Sequence, residues 1–302
     1  MHNPRPGLPE FDYVKPATLG EASAFLAAHA GEARPFLGGT DAFVRLRDGA
    51  WRDRYVVDVK HLPGMRDIHF DPDKGLTIGA AVNMNQVIDH PDIQAHYPLL
   101  VEAARSVASY QLRSRATVVG NICNASPAGD TTGACMVLGG ALHVYGAAAD
   151  GGRGMRQVPL DGFFLGPGRT VLRPGDVVTA VHLPLPPAGC AGKYLKLGRN
   201  AVGDLAIVGV TALGYPDASA PSGYRFRLAL ASVAPVPFVP VQAEQILSEA
   251  PLSAAAIAQA AAAAMNAVAP INDARGSARY RSLMTRNLVQ EAVTAVWERL
   301  GG

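Results

Sequence analysis

The stretch "TVVGNICNASPAGD", residues 117–130, decides what kind of fold the chain adopts and what it holds. Its side chains are small, and Thr117, Asn124, Ser126 and Asp130 bring four hydrogen-bonding groups into one short segment. Such a set suits the hydroxyls and phosphates of a nucleotide. Just before it, "PLLVEAARSVAS" (98–109) carries Leu99, Leu100, Ala103, Ala104 and Val107 on one stripe, which predicts a helix there and a loop over 117–130. A matching place lies upstream, where the apolar run Pro35-Phe36-Leu37 stops at Gly38-Gly39-Thr40-Asp41. Glycine at such a stop lets the backbone take positive φ or approach another group closely. Successive unobstructed N–H groups form a nest that binds pyrophosphate without a lysine, and neither segment contains one. Singly, Gly-Gly after a strand is a turn signal, and Asn121 or Asp130 serves as well to satisfy a loop or cap a helix. Together the segments predict one nucleotide cofactor gripped from two sides.

Composition narrows the class further. With 302 residues, 49% of them hydrophobic and 17% charged, the chain can bury more than one core, and its length predicts two domains with room for a third. The formal net charge is +2 with Lys and Arg scattered, which offers nucleic acid no basic surface. Cys123, Cys135 and Cys190 are too few and too widely spaced for a disulfide framework, a zinc site or an iron–sulfur motif. A reducing cytoplasm fits that usage. The start, "MHNPRPGLPEFDY", lacks the apolar run of a signal peptide, and no stretch of about 18 apolar residues could span a bilayer.

Along the chain, Thr18-Leu19-Gly20-Glu21 is a capping box that predicts a helix over 19–29. "YVVDV" (55–59) and "LTIGAAV" (76–82) read as strands, as do "LHVYG" (142–146), "RQVPL" (156–160) and "DVVTAVHLPL" (176–185), the last three as an antiparallel sheet. The Pro/Gly cluster "PLPPAGCAG" (184–192) is the linker candidate. Beyond it "KYLKLG", "DLAIVGVTALGY" and "RFRLALASVAP" read as three strands, followed by three helices, an α+β layering. The expected division is 1–60, 61–187 and 193–302. A Rossmann G-x-G-x-x-G between strand and helix is absent, and so is a P-loop. His143 and His182 fall on predicted strands as surface or structural histidines, while Cys123 and Cys135 read as small packers. Arg113 and Arg115 fit a phosphate, a solvated face or an interface. Tyr280, Arg281 and Arg286 read as packing and surface residues.

The segments "RPFLGGTDAFVRLRDG", "VVDVKHLPGMRDI", "YQLRSRATVVGNICNASPAGDTTGACMVLGGAL", "LKLGRNAVGDLAIVGVTA" and "DARGSARYRSLMTRNLV", in that order, resemble the FAD-binding (medium) subunits of the molybdenum hydroxylases. That family includes those of carbon monoxide dehydrogenase and xanthine dehydrogenase. The resemblance implies an α+β chain: a vanillyl-alcohol-oxidase or PCMH-type FAD-binding fold of two α/β subdomains, then a C-terminal α+β domain with a three-stranded antiparallel sheet. It implies FAD lying extended between the first two. Arg34, Leu37, Gly38, Gly39, Thr40, Asp41 and Ala42 would then line the adenosine and pyrophosphate end. Ala116, Thr117, Gly120, Asn121, Asn124, Gly129 and Asp130 would form the second wall. Val177 and Val178 would lie beside the isoalloxazine, and Lys196 near its pyrimidine edge.

The same resemblance implies [2Fe–2S] clusters on a small partner subunit and a molybdopterin-molybdenum centre on a large one, assembled as a dimer of heterotrimers. The flavin would relay electrons from the clusters to an external acceptor, with no catalytic acid, base or metal ligand in this chain. A flavin-holding docking subunit and a stand-alone PCMH-type flavin oxidoreductase are the alternatives. Departures from the family pattern are Ala116 and Val119 in place of glycines, Gly133 in place of a common proline, and one extra residue before Asp204. Val119 would disfavour a positive φ. No four-cysteine insertion is present, so no additional cluster is expected.

Overall fold

The computed structural model describes residues 7–148, 151–200 and 202–301. Residues 1–6 of the first expected division, Ala201 in "GRNAVGDLA" and Gly302 lie outside the described residues. The chain opens with β1 (Asp12–Val14), α1 (Leu19–Ala28), β2 (Ala33–Phe36), α2 (Ala42–Arg47) and β3 (Tyr55–Asp58), whose strands form a parallel sheet ordered β1-β3-β2. The Thr18 hydroxyl caps α1 by accepting from the Glu21 amide at 3.1 Å, while the Glu21 carboxylate reaches back to Ala17 at 2.8 Å, one residue beyond the cap. Phe36, Leu46 and Val56 make a small core between this sheet and α2.

Next come β4 (Ile68–Asp71), β5 (Gly75–Gly79), α3 (Met84–Asp89), α4 (Pro91–His96), α5 (Pro98–Arg105), α6 (Tyr110–Arg113), α7 (Val118–Cys123) and α8 (Asp130–Val137). They are followed by β6 (Ala141–Ala147), β7 (Arg153–Pro159), β8 (Phe164–Gly166), β9 (Arg169–Thr170) and β10 (Val177–Leu183). Strands β4-β5-β10-β6-β7 form an antiparallel sheet. Along β6, Leu142, Val144 and Gly146 are buried, while Ala141, His143 and Tyr145 are half-buried on the other face, the period-2 pattern of a one-sided sheet. The helices supply the covering layer, and Leu100, Ala104, Ile122 and Val137 join Leu142 and Val181 in the main core. The helix expected over 98–109 stops at Arg105, because Ala108 turns to φ 41 and breaks the helical path. The strand expected over 76–82 ends at Gly79.

The chain closes with β11 (Ala191–Leu197), β12 (Val208–Pro216) and β13 (Tyr224–Ala231), a three-stranded antiparallel sheet, then α9 (Val241–Glu249), α10 (Ala254–Ala267) and α11 (Ala278–Arg299). Every β12 residue from Val208 to Gly214 is buried, since both faces are covered. Val208, Val210 and Ala212 pack with Ile257, Val289 and Val293 of the closing helices. Leu213, with Tyr194 of β11, belongs instead to the main core. A Cβ on Gly133 of α8 would stand 2.5 Å from the Thr211 hydroxyl, so that helix lies directly on β12. Arg281 is more than ordinary packing: buried at 3% exposure, it donates to the carbonyls of Ile207 (2.7 Å) and Ser232 (3.0 Å) and to Asp273 (2.7 Å).

Candidate functional site

The stop after β2 works as glycine chemistry requires. Gly39 takes φ +77, and a Cβ at Gly38 would lie 2.1 Å from the Arg115 carbonyl oxygen and 3.2 Å from Ala116 Cα. The two segments singled out in the sequence therefore meet through bare backbone. The amides of Gly38, Gly39, Thr40 and Asp41 donate to nothing within the described protein. Four free donors in a row are a strip for an anionic ligand.

The second segment is not a loop throughout, which corrects the expectation for 117–130. Residues Val118–Cys123 form α7, capped by Thr117, whose Oγ1 accepts from the Gly120 amide at 2.9 Å. Val119 is helical and buried, so no positive φ is asked of it. Asn121 Oδ1 accepts from the Thr131 amide (3.2 Å) and hydroxyl (2.8 Å), which ties α7 to α8. The Ala125 carbonyl accepts from Gly168 at 3.0 Å and the Pro127 carbonyl from Ser232 at 2.7 Å. The segment is a braced wall.

Between the two walls runs a cleft of about 620 Å³. Every residue that the resemblance assigns to the cofactor lines it, with the exception of Lys196. That lysine stands behind the second wall, its Nζ donating to Asp130 Oδ2 at 2.8 Å and to the Ser106 carbonyl at 3.1 Å. Tyr194 Oη donates to Asp130 Oδ1 at 2.7 Å. Burial pushes the Asp130 carboxyl above the usual range, against the charge and hydrogen bond of Lys196 and the hydrogen bond of Tyr194. Burial, and then the neighbouring Asp130, pushes the Tyr194 phenol well up. Burial likewise lifts the Cys123 and Cys135 thiols to about 12; Cys135 is packed in the core, whereas Cys123 is half-buried and lines the cleft. Arg113 Nη1 donates to the carbonyls of Arg105, Val107 and Ala108.

Several lining residues escaped the sequence reading. The turn from Arg173 to Asp176 closes one side, held by Arg156 on Asp176 (2.9 Å) and by the Arg173 amide on the same carboxylate (2.7 Å). Its Pro174-Gly175 pair is a turn signal that could have flagged it. Trp51 lies under the Arg34 guanidinium, 3.8 Å from the ring centroid, with Asp53 bonded to the same arginine at 2.8 and 3.2 Å. Val107, Ala108, Asp204 and Leu205 complete the rim, and nothing in their residue types announces it.

The residues present fit FAD. The free amides of residues 38–41 suit phosphate oxygens. In the opposite wall Asn124 Oδ1 is buried without a partner and calls for an O–H or N–H donor. Val177 and Val178 offer an apolar surface for a ring. Among the described residues no three His, Cys, Asp or Glu side chains group to hold a metal ion, and no helix is long and apolar enough to cross a membrane.

Comparison with known proteins matches residues 9–186 to the FAD binding domain in molybdopterin dehydrogenase and residues 193–296 to the CO dehydrogenase flavoprotein C-terminal domain. The xanthine dehydrogenase FAD-binding subunit of Escherichia coli O157:H7 is 32% identical over 95% of this chain and 98% of its own. The carbon monoxide dehydrogenase medium chain of Hydrogenophaga pseudoflava is 31% identical over 96% and 98%. A solved structure of carbon monoxide dehydrogenase from that organism, lacking the Mo-pyranopterin moiety of its cofactor, superposes with a TM-score of 0.89, covering 97% of this chain and 99% of the matched one at 31% identity. The chain therefore belongs to the family of FAD-binding subunits of the molybdenum hydroxylases, which are oxidoreductases.

Proposed function

We propose that this chain is the flavin-holding subunit of a three-subunit molybdenum hydroxylase, working in the cytoplasm with a small [2Fe–2S] subunit and a large molybdopterin subunit, two such heterotrimers forming the complex. When bound, FAD supplies the exchange between one-electron donors and a two-electron acceptor. The chain's own work is to hold and orient it. The amides of Gly38 to Asp41 take the diphosphate, with Arg34, Leu37 and Ala42 beside them at the adenosine end. Ala116, Thr117, Gly120, Asn121, Asn124, Gly129 and Asp130 form the facing wall, and Val177 and Val178 keep water from the ring. Lys196 acts through Asp130, fixing that carboxylate and the turn at Ser106 together. Residues 1–60 and 61–187 are the two FAD-binding subdomains, and 193–302 the closing domain.

The observation that carries this reading is the strip of four unpartnered amides facing, across the cleft, a wall with an unpartnered buried Asn124 oxygen. Purification of the chain alone tests it. The expected product is yellow, carries one FAD per chain and reduces dyes, yet is inert toward organic substrates until the two partners are added. A chain that holds FAD but reduces no dye, or one that oxidises an organic substrate unaided, would replace this reading with the alternatives of a flavin-holding docking subunit or a stand-alone oxidoreductase, and a colourless chain that takes up no FAD would overturn the flavin reading itself.

A further inference from the structure

Between α5 and α6 the chain turns sharply, and two residues of the turn, Val107 and Ala108, line the cleft. Ala108 takes φ 41, a left-handed backbone that a residue with a Cβ adopts only where its surroundings impose it. Arg113 is the surrounding group that does so. Its Nη1 donates to the carbonyls of Arg105 at 3.1 Å, Val107 at 2.9 Å and Ala108 at 3.3 Å. Lys196 takes the remaining carbonyl of the turn, that of Ser106, at 3.1 Å. Each carbonyl from Arg105 to Ala108 thus accepts from a cation, and charge-assisted bonds of this kind are the stronger ones. Arg113 gives up another bond to hold this geometry, since its Nε is buried without a partner. It does not itself line the cleft.

We infer that Arg113 is a positioning residue for the cofactor: it clamps the Val107–Ala108 turn in its left-handed form, so that the turn shapes the cleft wall, and it does this without touching the cofactor. The inference rests on FAD occupying the cleft. With the clamp removed, the turn relaxes toward ordinary negative φ and carries Val107 and Ala108 away from their lining positions. Glycine adopts φ 41 without strain, so Ala108→Gly lessens what the clamp has to hold.

The experiment uses the full chain, with FAD affinity read by flavin fluorescence, the bound flavin by visible circular dichroism, and the apoprotein by its thermal midpoint. Arg113→Gln is expected to weaken FAD binding about tenfold and to change the circular dichroism of bound flavin, with the apoprotein midpoint within about 2 °C of wild type. Arg113→Lys, which keeps the charge on a shorter side chain without the planar guanidinium, is expected to fall between. The double variant Arg113→Gln with Ala108→Gly is expected to regain most of the affinity. Wild-type affinity and spectrum in Arg113→Gln would overturn the inference. So would a loss of affinity that merely follows a falling midpoint and that Ala108→Gly does not rescue. If Arg113→Gln does not fold, Arg113→Lys is judged by the same criteria. A wild-type chain that takes up no FAD sinks the flavin reading and this inference together, whereas a yellow wild type with unaffected variants sinks the inference alone.

Discussion

Asp58, at the end of β3 and opposite Phe36 in the first sheet, accepts from Lys60 Nζ at 2.6 Å and from Tyr13 Oη. Asp130, at the start of α8, accepts from Lys196 Nζ at 2.8 Å and from Tyr194 Oη at 2.7 Å. Asp58 does not line the cleft and Asp130 does, yet the two carboxylates have the same kinds of partner and nearly the same accessibility, 9% and 8%. They titrate in opposite directions. At Asp58 burial is the largest influence, but the bonds from Lys60 and Tyr13 together outweigh it and lower the pKa. At Asp130 burial wins. The difference is depth of protein: Tyr13 is 52% exposed and Tyr194 only 5%, because the first trio sits in a thin three-stranded layer and the second between α5, α8 and β11. The same three side chains are a rivet near water in the first sheet and a buried dependency in the second wall. The first wall is consequently a matter of backbone, the second of side chains.

The largest effect that can break this contrast is at Asp130. Asp130→Ala leaves Lys196 buried without its counter-charge and is expected to cost about 3–5 kcal/mol in denaturant unfolding. Asp58→Ala, with water in reach of its former partners, is expected to cost about 1–2 kcal/mol. Equal costs would mean that depth is not what separates the two trios.

The same contrast decides what could be read in the sequence. The first wall is legible because its function lies in residue types: a glycine doublet after an apolar run announces free amides whatever the rest of the chain does. The second was legible in composition but not in shape. Helix α7 is six residues long with a Val-Val pair and an internal glycine, too short and too poor in helix formers to show a period. Its Thr117 cap lacks the Glu or Gln three residues on that would have marked it. The three strands after residue 190 were visible as apolar runs, yet nothing local says that β11 lies behind α5, with Glu102 accepting from Lys193 and from the Tyr194 amide. Nor does anything local say that Lys196 Nζ reaches Asp130 and the Ser106 carbonyl. Positive φ at Ala108 and Ala125 is not legible, since alanine carries no turn signal and the bonds at these positions, from Arg113 to the Ala108 carbonyl and from Gly168 to the Ala125 carbonyl, leave no mark in residue type.

The next largest effect sharpens the backbone side of the contrast. Gly38→Ala would set a methyl 2.1 Å from the Arg115 carbonyl, and backbone has no rotamer with which to yield. The two walls must part, at an expected cost of about 1–3 kcal/mol in stability. FAD affinity is expected to fall about 100-fold. Titration of the purified apoprotein with FAD checks it, and unchanged affinity would show that the walls need not touch.

Opposite pH slopes come next. The folded-state pKa of Asp58 is depressed, so its contribution to stability is present above the unfolded value near 3.8 and is lost as pH falls through the lowered one. The folded-state pKa of Asp130 is raised, so its contribution is present below that unfolded value and is lost as pH rises through the raised one. The stability gap between wild type and Asp58→Asn should therefore narrow on acidification, and the gap to Asp130→Asn should narrow as pH rises. Unfolding curves at a series of pH values compare the two, and parallel slopes would contradict the assignment of burial as the deciding influence.

The smallest expected effect is the most direct check on the first wall. Thr40 lines the cleft beside Gly39, and its side chain makes no hydrogen bond within the described protein, whereas its amide is one of the four free donors. If the wall acts through its main chain, Thr40→Ala leaves the donor in place and changes stability by no more than about 0.5 kcal/mol. FAD affinity should stay within about twofold. Thr117→Ala across the cleft removes a helix cap and should cost about 1 kcal/mol. A Thr40 variant that loses FAD more readily than the Thr117 variant would reverse the contrast, because the first wall would then depend on a hydroxyl that the unpartnered amides make unnecessary.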